Sequence, residues 1–141
     1  MQVKDIMTAN PICISDGASL RDAHLLMQSR GVRHLPVIAE SDGRYRGVLT
    51  HKKMIASVVG MINRYGAGAL DRKERFTPIA EVMEVPGQHL GTDEPLTVVV
   101  DYFIDNKSGC LPVLDADMRV IGIVTSSDFV KLAKRLLQQQ G

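Results

Sequence analysis

Apolar residues along this chain fall into short blocks whose spacing switches between that of a helix and that of a strand. Val3, Ile6 and Met7 share one side of a single helical turn, and Ile12-Cys13-Ile14 is a brief apolar run of strand type. Ser19 stands as an N-cap before Leu20, Ala23, His24 and Met27, which fall on one face of the helix they predict. Strands are predicted at Leu35–Ile38 and Arg46–Leu49 around the turn Ser41-Asp42-Gly43, and a helix from Lys52 to about Tyr65 follows. The order then starts again. Pro95 suits a first helical position ahead of Leu96, Val99, Val100 and Phe103. Strands are predicted at Leu111–Leu114 and Val120–Val124, and a last helix from Ser127 to about Leu137.

The blocks recur because the sequence is duplicated. A shift of 76 residues lays Met7 on Met83, Leu20 on Leu96, and Leu35-Pro36-Val37 on Leu111-Pro112-Val113. One residue is dropped near Glu40, after which Asp42, Arg44, Gly47 and Thr50 fall on Asp117, Arg119, Gly122 and Thr125. Residues 1–65 thus read as a first repeat and residues 77–141 as a second. The stretch 66–76 between them, glycine-rich and then polar, reads as a linker. One such unit has a short sheet with helices on one face only. Two units packed sheet against sheet would bury what one leaves open.

Composition narrows the class. Hydrophobic residues at 45% and charged residues at 23% are globular proportions. A net charge of +1 gives no general field for nucleic acid or anionic membrane, and 4% aromatics without tryptophan leave few stacking platforms for single strands. The longest apolar stretch, Met54 to Met61, is broken by Ser57 and Gly60 and is too short to span a bilayer. The opening residues lack a secretory pattern, and Cys13 and Cys110, without CxxC spacing, read as reduced core thiols; a cytoplasmic location is expected. The histidines (24, 34, 51 and 89) are scattered without metal-ligand spacing, and no GxSxG, Walker loop or GxGxxG occurs. No enzyme is expected.

The repeated motifs resemble those of the CBS domain family, and two such repeats in tandem resemble a Bateman module. The shared elements are an Ile/Val-Met turn (Ile6-Met7, Val82-Met83), a Leu-Pro-Val strand (Leu35-Pro36-Val37, Leu111-Pro112-Val113) and a strand end leading into a helix (Gly47-Val48-Leu49-Thr50, Gly122-Ile123-Val124-Thr125). The resemblance covers Met1 to about Leu137. It implies an α/β (α+β) fold of two CBS repeats, each a short three-stranded sheet with flanking helices. These would pack sheet to sheet about a pseudo-two-fold axis and leave two clefts. It further implies that such clefts take adenosine-containing ligands such as AMP, ADP, ATP or S-adenosylmethionine, although some CBS pairs serve only for association.

In nucleotide-binding members a T-x-x-D pattern at the start of the closing helix grips the ribose. A carboxylate accepts hydrogen bonds from both vicinal hydroxyls, and threonine adds another polar contact. Thr125-Ser126-Ser127-Asp128 keeps the pattern. Asp128 alternatively only offsets the helix dipole in the first turn, and the two roles can coexist. The first repeat reads Thr50-His51-Lys52-Lys53, with a lysine, which offers no acceptor, in place of the carboxylate. By resemblance Lys52 reaches a phosphate; otherwise it is a solvated helix residue. Arg33 and His34 precede Leu35, where the second repeat has Gly109 and Cys110. They form either a phosphate contact, with His34 charged if an anion raises its pKa, or an exposed strand-end pair. One asymmetric site is therefore expected: adenine against Ile12, Val32 and Ile123, ribose on Thr125 and Asp128, phosphates near Arg33, His34 and Lys52. The ligand would be an effector, with no resident cofactor required.

The helix after Thr50 carries Met54, Val58, Met61 and Ile62 on one stripe, widened by Ile55 and Val59. So wide an apolar arc needs two partners, one of them a second chain, and a homodimer is expected. The competing function is a structural dimerisation or interaction module with no ligand. Nucleic-acid binding and unrecognised catalysis rank below both. An unidentified effector protein would receive the output.

Overall fold

The computed structural model describes residues 1–85, 88–106 and 109–140. In chain order the strands and helices are β1 (Thr8–Ala9), β2 (Ile14–Ser15), α1 (Leu20–Arg30), β3 (His34–Ile38), β4 (Tyr45–Thr50), α2 (His51–Tyr65), α3 (Leu70–Phe76), α4 (Leu96–Asn106), β5 (Cys110–Leu114), β6 (Val120–Thr125) and α5 (Ser126–Gln140). Single 3-10 turns at Val3–Asp5 and Ile79–Glu81 open the two repeats. The mixed α/β class is as expected, with two three-stranded sheets, β2-β3-β4 and β1-β6-β5.

The chain divides into two compact units that are cut differently from the sequence repeats. One holds residues 12–86; the other holds residues 1–11 together with 87–141. The opening segment of each repeat belongs to the unit built from the body of the other. Val3 donates its N–H to Glu94 O (2.9 Å) and Leu96 donates to Met1 O (3.1 Å). At the positions 76 residues away, Ile79 donates to Ala18 O (2.9 Å) and Leu20 to Thr77 O (2.8 Å). Val3 and Ile79 are both fully buried. The boundaries 1–65, 66–76 and 77–141 therefore mark the duplication but not the packing.

Each unit has its own core. In residues 12–86, Leu20, Ala23 and Met27 of α1 pack with Leu35, Val37, Leu49, Met54 and Ile79. Ser19 caps α1 through a reciprocal pair, accepting from Asp22 N–H (3.1 Å) while Asp22 accepts from Ser19 N–H (3.0 Å). In the other unit Val3, Leu90, Leu96 and Val99 pack with Leu111, Val113 and Val124. Met27 and Met54 of the first core are replaced in the second by Phe103 and Phe129, whose rings meet edge to face at 5.4 Å. The predicted strand at Ile12–Ile14 is shorter and later, since only Ile14 and Ser15 pair with β3.

The family-like motifs touch one another. Thr8 and Ala9 pair antiparallel with Ile123 and Gly122, and Glu84 bridges to Val48 in the same manner. A β-carbon on Gly122 would come within 2.6 Å of Met7 Sδ, and one on Gly47 within 2.5 Å of Glu84 O. The glycine of each strand end thus makes room for the methionine turn of the opposite repeat.

The segment 66–76 between the repeats is ordered. Ala67–Ala69 is a 3-10 turn and Leu70–Phe76 is a helix packed on α1 and α2. Its polar sequence hides one inward group: Glu74 is 1% exposed. Glu74 Oε2 lies 3.1 Å from His24 Nδ1 and 3.8 Å from Arg21 Nη1. Arg21 also meets Asp71 (3.5 Å). His24 is accordingly a boundary histidine with a partner.

Candidate functional site

In the unit containing the amino terminus, β6 runs into α5 without a loop. Thr125 ends the strand and Asp128 occupies the third helical residue. Asp128 Oδ2 accepts from Thr125 N–H at 2.8 Å and from Thr125 Oγ1 at 3.3 Å. Its other oxygen, Oδ1, accepts from Thr8 Oγ1 at 3.3 Å. Thr125 Oγ1 also lies 2.8 Å from Ser127 Oγ. Asp128 is only 5% exposed, yet among the described residues its hydrogen-bond donors are one amide and two hydroxyls. The first-turn position supplies the remaining compensation for its charge, because the free N–H groups of a helix start carry positive partial charge. Asp128 thus accepts from the N–H of the residue before α5, in the first turn where a negative charge offsets the helix dipole, and its carboxylate is buried beside two threonine hydroxyls.

Ile123 lies opposite Thr8 in the β1–β6 pairing and is buried. Cys110 lies opposite Thr125 in the β5–β6 register. Burial first, and then the nearby Asp128 charge, push its thiol up to about 12. Cys13, in the other unit, is also raised by burial.

In residues 12–86 the equivalent strand end carries basic groups. His34 pairs with Thr50 across β3 and β4, and Arg33 O accepts from His51 N–H at 2.8 Å. Arg33, His34 and Lys52 thereby gather at the start of α2, which has no acidic residue in its first turn. Thr50 caps this helix by accepting from Lys53 N–H at 3.0 Å. Burial first, and then the Arg33 charge, hold the His34 imidazole below its ordinary value of 6.5. This direction favours the neutral ring, and the charged form considered from sequence requires an anion beside it. Ile12 and Val32 are half-buried and pack against this unit's core.

The structure thus brings Thr125, Asp128 and Ile123 together in one unit, and Arg33, His34 and Lys52 together in the other. Sequence reasoning missed Thr8. A two-residue strand is too short to show alternation, and only its place after Ile6-Met7 hinted at a role. Among the described residues no three His, Cys, Asp or Glu side chains are grouped to hold a metal ion, and no helix is long and apolar enough to cross a membrane.

Comparison with known proteins fixes the class. The CBS domain family matches residues 3–60 and 79–135, and the chain belongs to that family as a tandem pair. Among solved structures it is similar to a Vibrio cholerae protein named for acetoin utilization (AcuB), with 28% identity, a TM-score of 0.84, and coverage of 99% of this chain and 96% of that one. It is also similar to the CBS domain pair of protein MJ0100 in complex with 5′-methylthioadenosine and S-adenosylmethionine (26% identity, TM-score 0.75, coverage 95% and 96%). A third is CBSX2 in complex with AMP (25% identity, TM-score 0.76, coverage 96% and 97%). A homoserine O-acetyltransferase of Methanocorpusculum labreanum is 29% identical over 126 residues, which are 89% of this chain but 23% of that protein. An uncharacterized protein of Methanocaldococcus jannaschii is 28% identical over 92% of this chain and 46% of its own length. The chain thus spans between about a quarter and a half of these relatives, so an acetyltransferase activity does not carry over with the match.

Proposed function

We propose that this CBS pair is a regulatory module that senses an adenosine-containing ligand, AMP, ADP, ATP or S-adenosylmethionine, and does not itself catalyse a reaction. The ribose falls to Thr125 and Asp128, the adenine to Ile12, Val32 and Ile123, and phosphates, where the ligand has them, to Arg33, His34 and Lys52. The observation that carries the reading is the buried Asp128 carboxylate in the first turn of a helix, held among the described residues by neutral donors. The complexes of similar CBS pairs with AMP and with S-adenosylmethionine support the ligand class. The basic set has its own physical rationale. Arg33, Lys52 and Lys53 lie at or beside the start of a helix with no acidic residue in its first turn, and a bound anion would be stabilised there. Regulation further requires the ligand to favour one arrangement of the protein over another.

Calorimetric titration with the four ligands tests this. Binding of at least one is expected, weakened at least about tenfold by Asp128→Asn, since a charge-assisted hydrogen bond is worth about 1.5–3 kcal/mol. Absence of heat and of thermal shift with all four would sink the proposal.

A second reading, association, rests on the outer face of α2. Met54 and Met61 turn inward, whereas Ile55, Val59 and Ile62, spaced for one helical stripe, are 41%, 50% and 36% exposed. We propose that this stripe supports a homodimer in the cytoplasm, through which an effector protein is controlled. A strict monomer by light scattering at micromolar concentration, unchanged by Val59→Glu, would exclude it.

A further inference from the structure

We propose that Thr8 is a positioning residue of the ribose site, acting through Asp128; the inference rests on the adenosine reading above. A carboxylate oxygen takes about two hydrogen bonds. Asp128 Oδ2 already has two donors, the N–H and the hydroxyl of Thr125. Oδ1 has one among the described residues, the Thr8 hydroxyl. Oδ1 is therefore the oxygen with a lone pair to give to a ligand hydroxyl, and Thr8 decides where that lone pair points. The terminal torsion of an aspartate is soft, so an oxygen anchored on one side only would sample a wide arc. Thr8 is itself held by backbone. It pairs with Ile123, and Asn10 just beyond donates its N–H to Ile121 O at 3.1 Å. Thr8 is an exposed residue while Asp128 is buried, and the hydrogen bond that joins them is part-buried.

The duplication supplies a second observation. The repeat register lays Thr8 on Glu84 and Asp128 on Lys53. Glu84 keeps the same backbone place, bridged to Val48 as Thr8 is paired to Ile123. Both members thus differ together between the two copies: a donor facing an acceptor in one, an acceptor and a donor at the same two places in the other. Among the described residues the contact is closed only by Thr8 and Asp128, and no ion pair joins Glu84 to Lys53, so the equivalent places in the two copies are not interchangeable.

The experiment is a double-mutant cycle on ligand affinity, with AMP and S-adenosylmethionine as the probes and melting temperature followed for every variant. Thr8→Val should weaken the bound probe about tenfold, and Thr8→Ser, which keeps the hydroxyl, should stay within about threefold of the unsubstituted chain. In an Asp128→Asn background, Thr8→Val should add less than about twofold, because its effect passes through the carboxylate. Unchanged affinity in Thr8→Val, loss in Thr8→Ser equal to that in Thr8→Val, or full additivity with Asp128→Asn overturns the role of Thr8 and leaves the adenosine reading standing. If the unsubstituted chain binds neither probe, the same cycle is read with ADP and ATP, and only failure of all four ligands brings down the adenosine reading and the role of Thr8 together.

Discussion

The Glu84 carbonyl lies 2.5 Å from where a β-carbon on Gly47 would stand, so these two residues meet backbone to backbone. At the equivalent contact, Gly122 faces the side-chain sulfur of Met7 at 2.6 Å, with Thr8 O further off at 3.3 Å. A side chain can turn aside where a carbonyl fixed in a bridge cannot. Gly47→Ala should therefore cost about 2–3 kcal/mol and Gly122→Ala about 1 kcal/mol, measured by urea denaturation. Equal losses would show that the two contacts yield alike.

Glu74 should anchor α3. Its removal strands no fully buried cation, because Arg21 and His24 are 37% and 32% exposed and can be rehydrated. The cost of Glu74→Ala is accordingly placed at about 2 kcal/mol rather than the larger loss of a wholly buried pair. Glu74→Gln keeps the volume and one acceptor and should cost about half as much. Amide exchange across Leu70–Phe76 should rise in Glu74→Ala before it rises elsewhere.

His34 should give the fold an acid-sensitive limb. Its folded pKa lies below the ordinary 6.5, so between the two values the unfolded chain binds more protons than the folded one. Stability then rises with pH through that window. The contribution is complete above about 6.5, is lost as pH falls through the lowered folded value, and is flat below it. Urea midpoints measured from about pH 5 to 7.5 should fall less steeply toward acid in His34→Gln than in the unsubstituted chain. A parallel fall in both would remove His34 as the source.

Cys110 should be chemically silent while the chain is folded. With its thiol pushed up to about 12, the reactive thiolate is on the order of one part in ten thousand at pH 8. Alkylation of Cys110 should therefore follow global unfolding, with a rate that tracks denaturant. Rapid labelling in native buffer would mean that β5 opens locally.

Much of this architecture was legible in the residues, and the parts that were not share a cause. Ser19 and Asp22 announced the start of α1 because a capping box is local, and the two Leu-Pro-Val runs announced their strands for the same reason. The exchange of opening segments was not legible. Val3 and Ile79 are alike in chemistry, so a repeat pattern cannot say which of the two cores each one fills. The helix at Leu70–Phe76 was hidden by its own polarity, since the single inward residue, Glu74, looks like every other charge around it. At the site, Thr125 and Asp128 stood out because they are close in sequence. Thr8, which touches Asp128 from far along the chain, had no such signal.

The crossed allegiance of the opening segments makes injury at the amino terminus a distal lesion. Trimming residues 1–7 would empty the slot that Val3 fills among Leu96, Val99, Leu111 and Val113, while every core side chain of residues 12–86 stayed in place. For the same reason, excising either repeat along its sequence boundary would yield a fragment lacking the opening turn that completes its own core and carrying the one that completes its neighbour's. Any dissection of this protein into halves must follow the packing, with residues 1–11 fused to the later body.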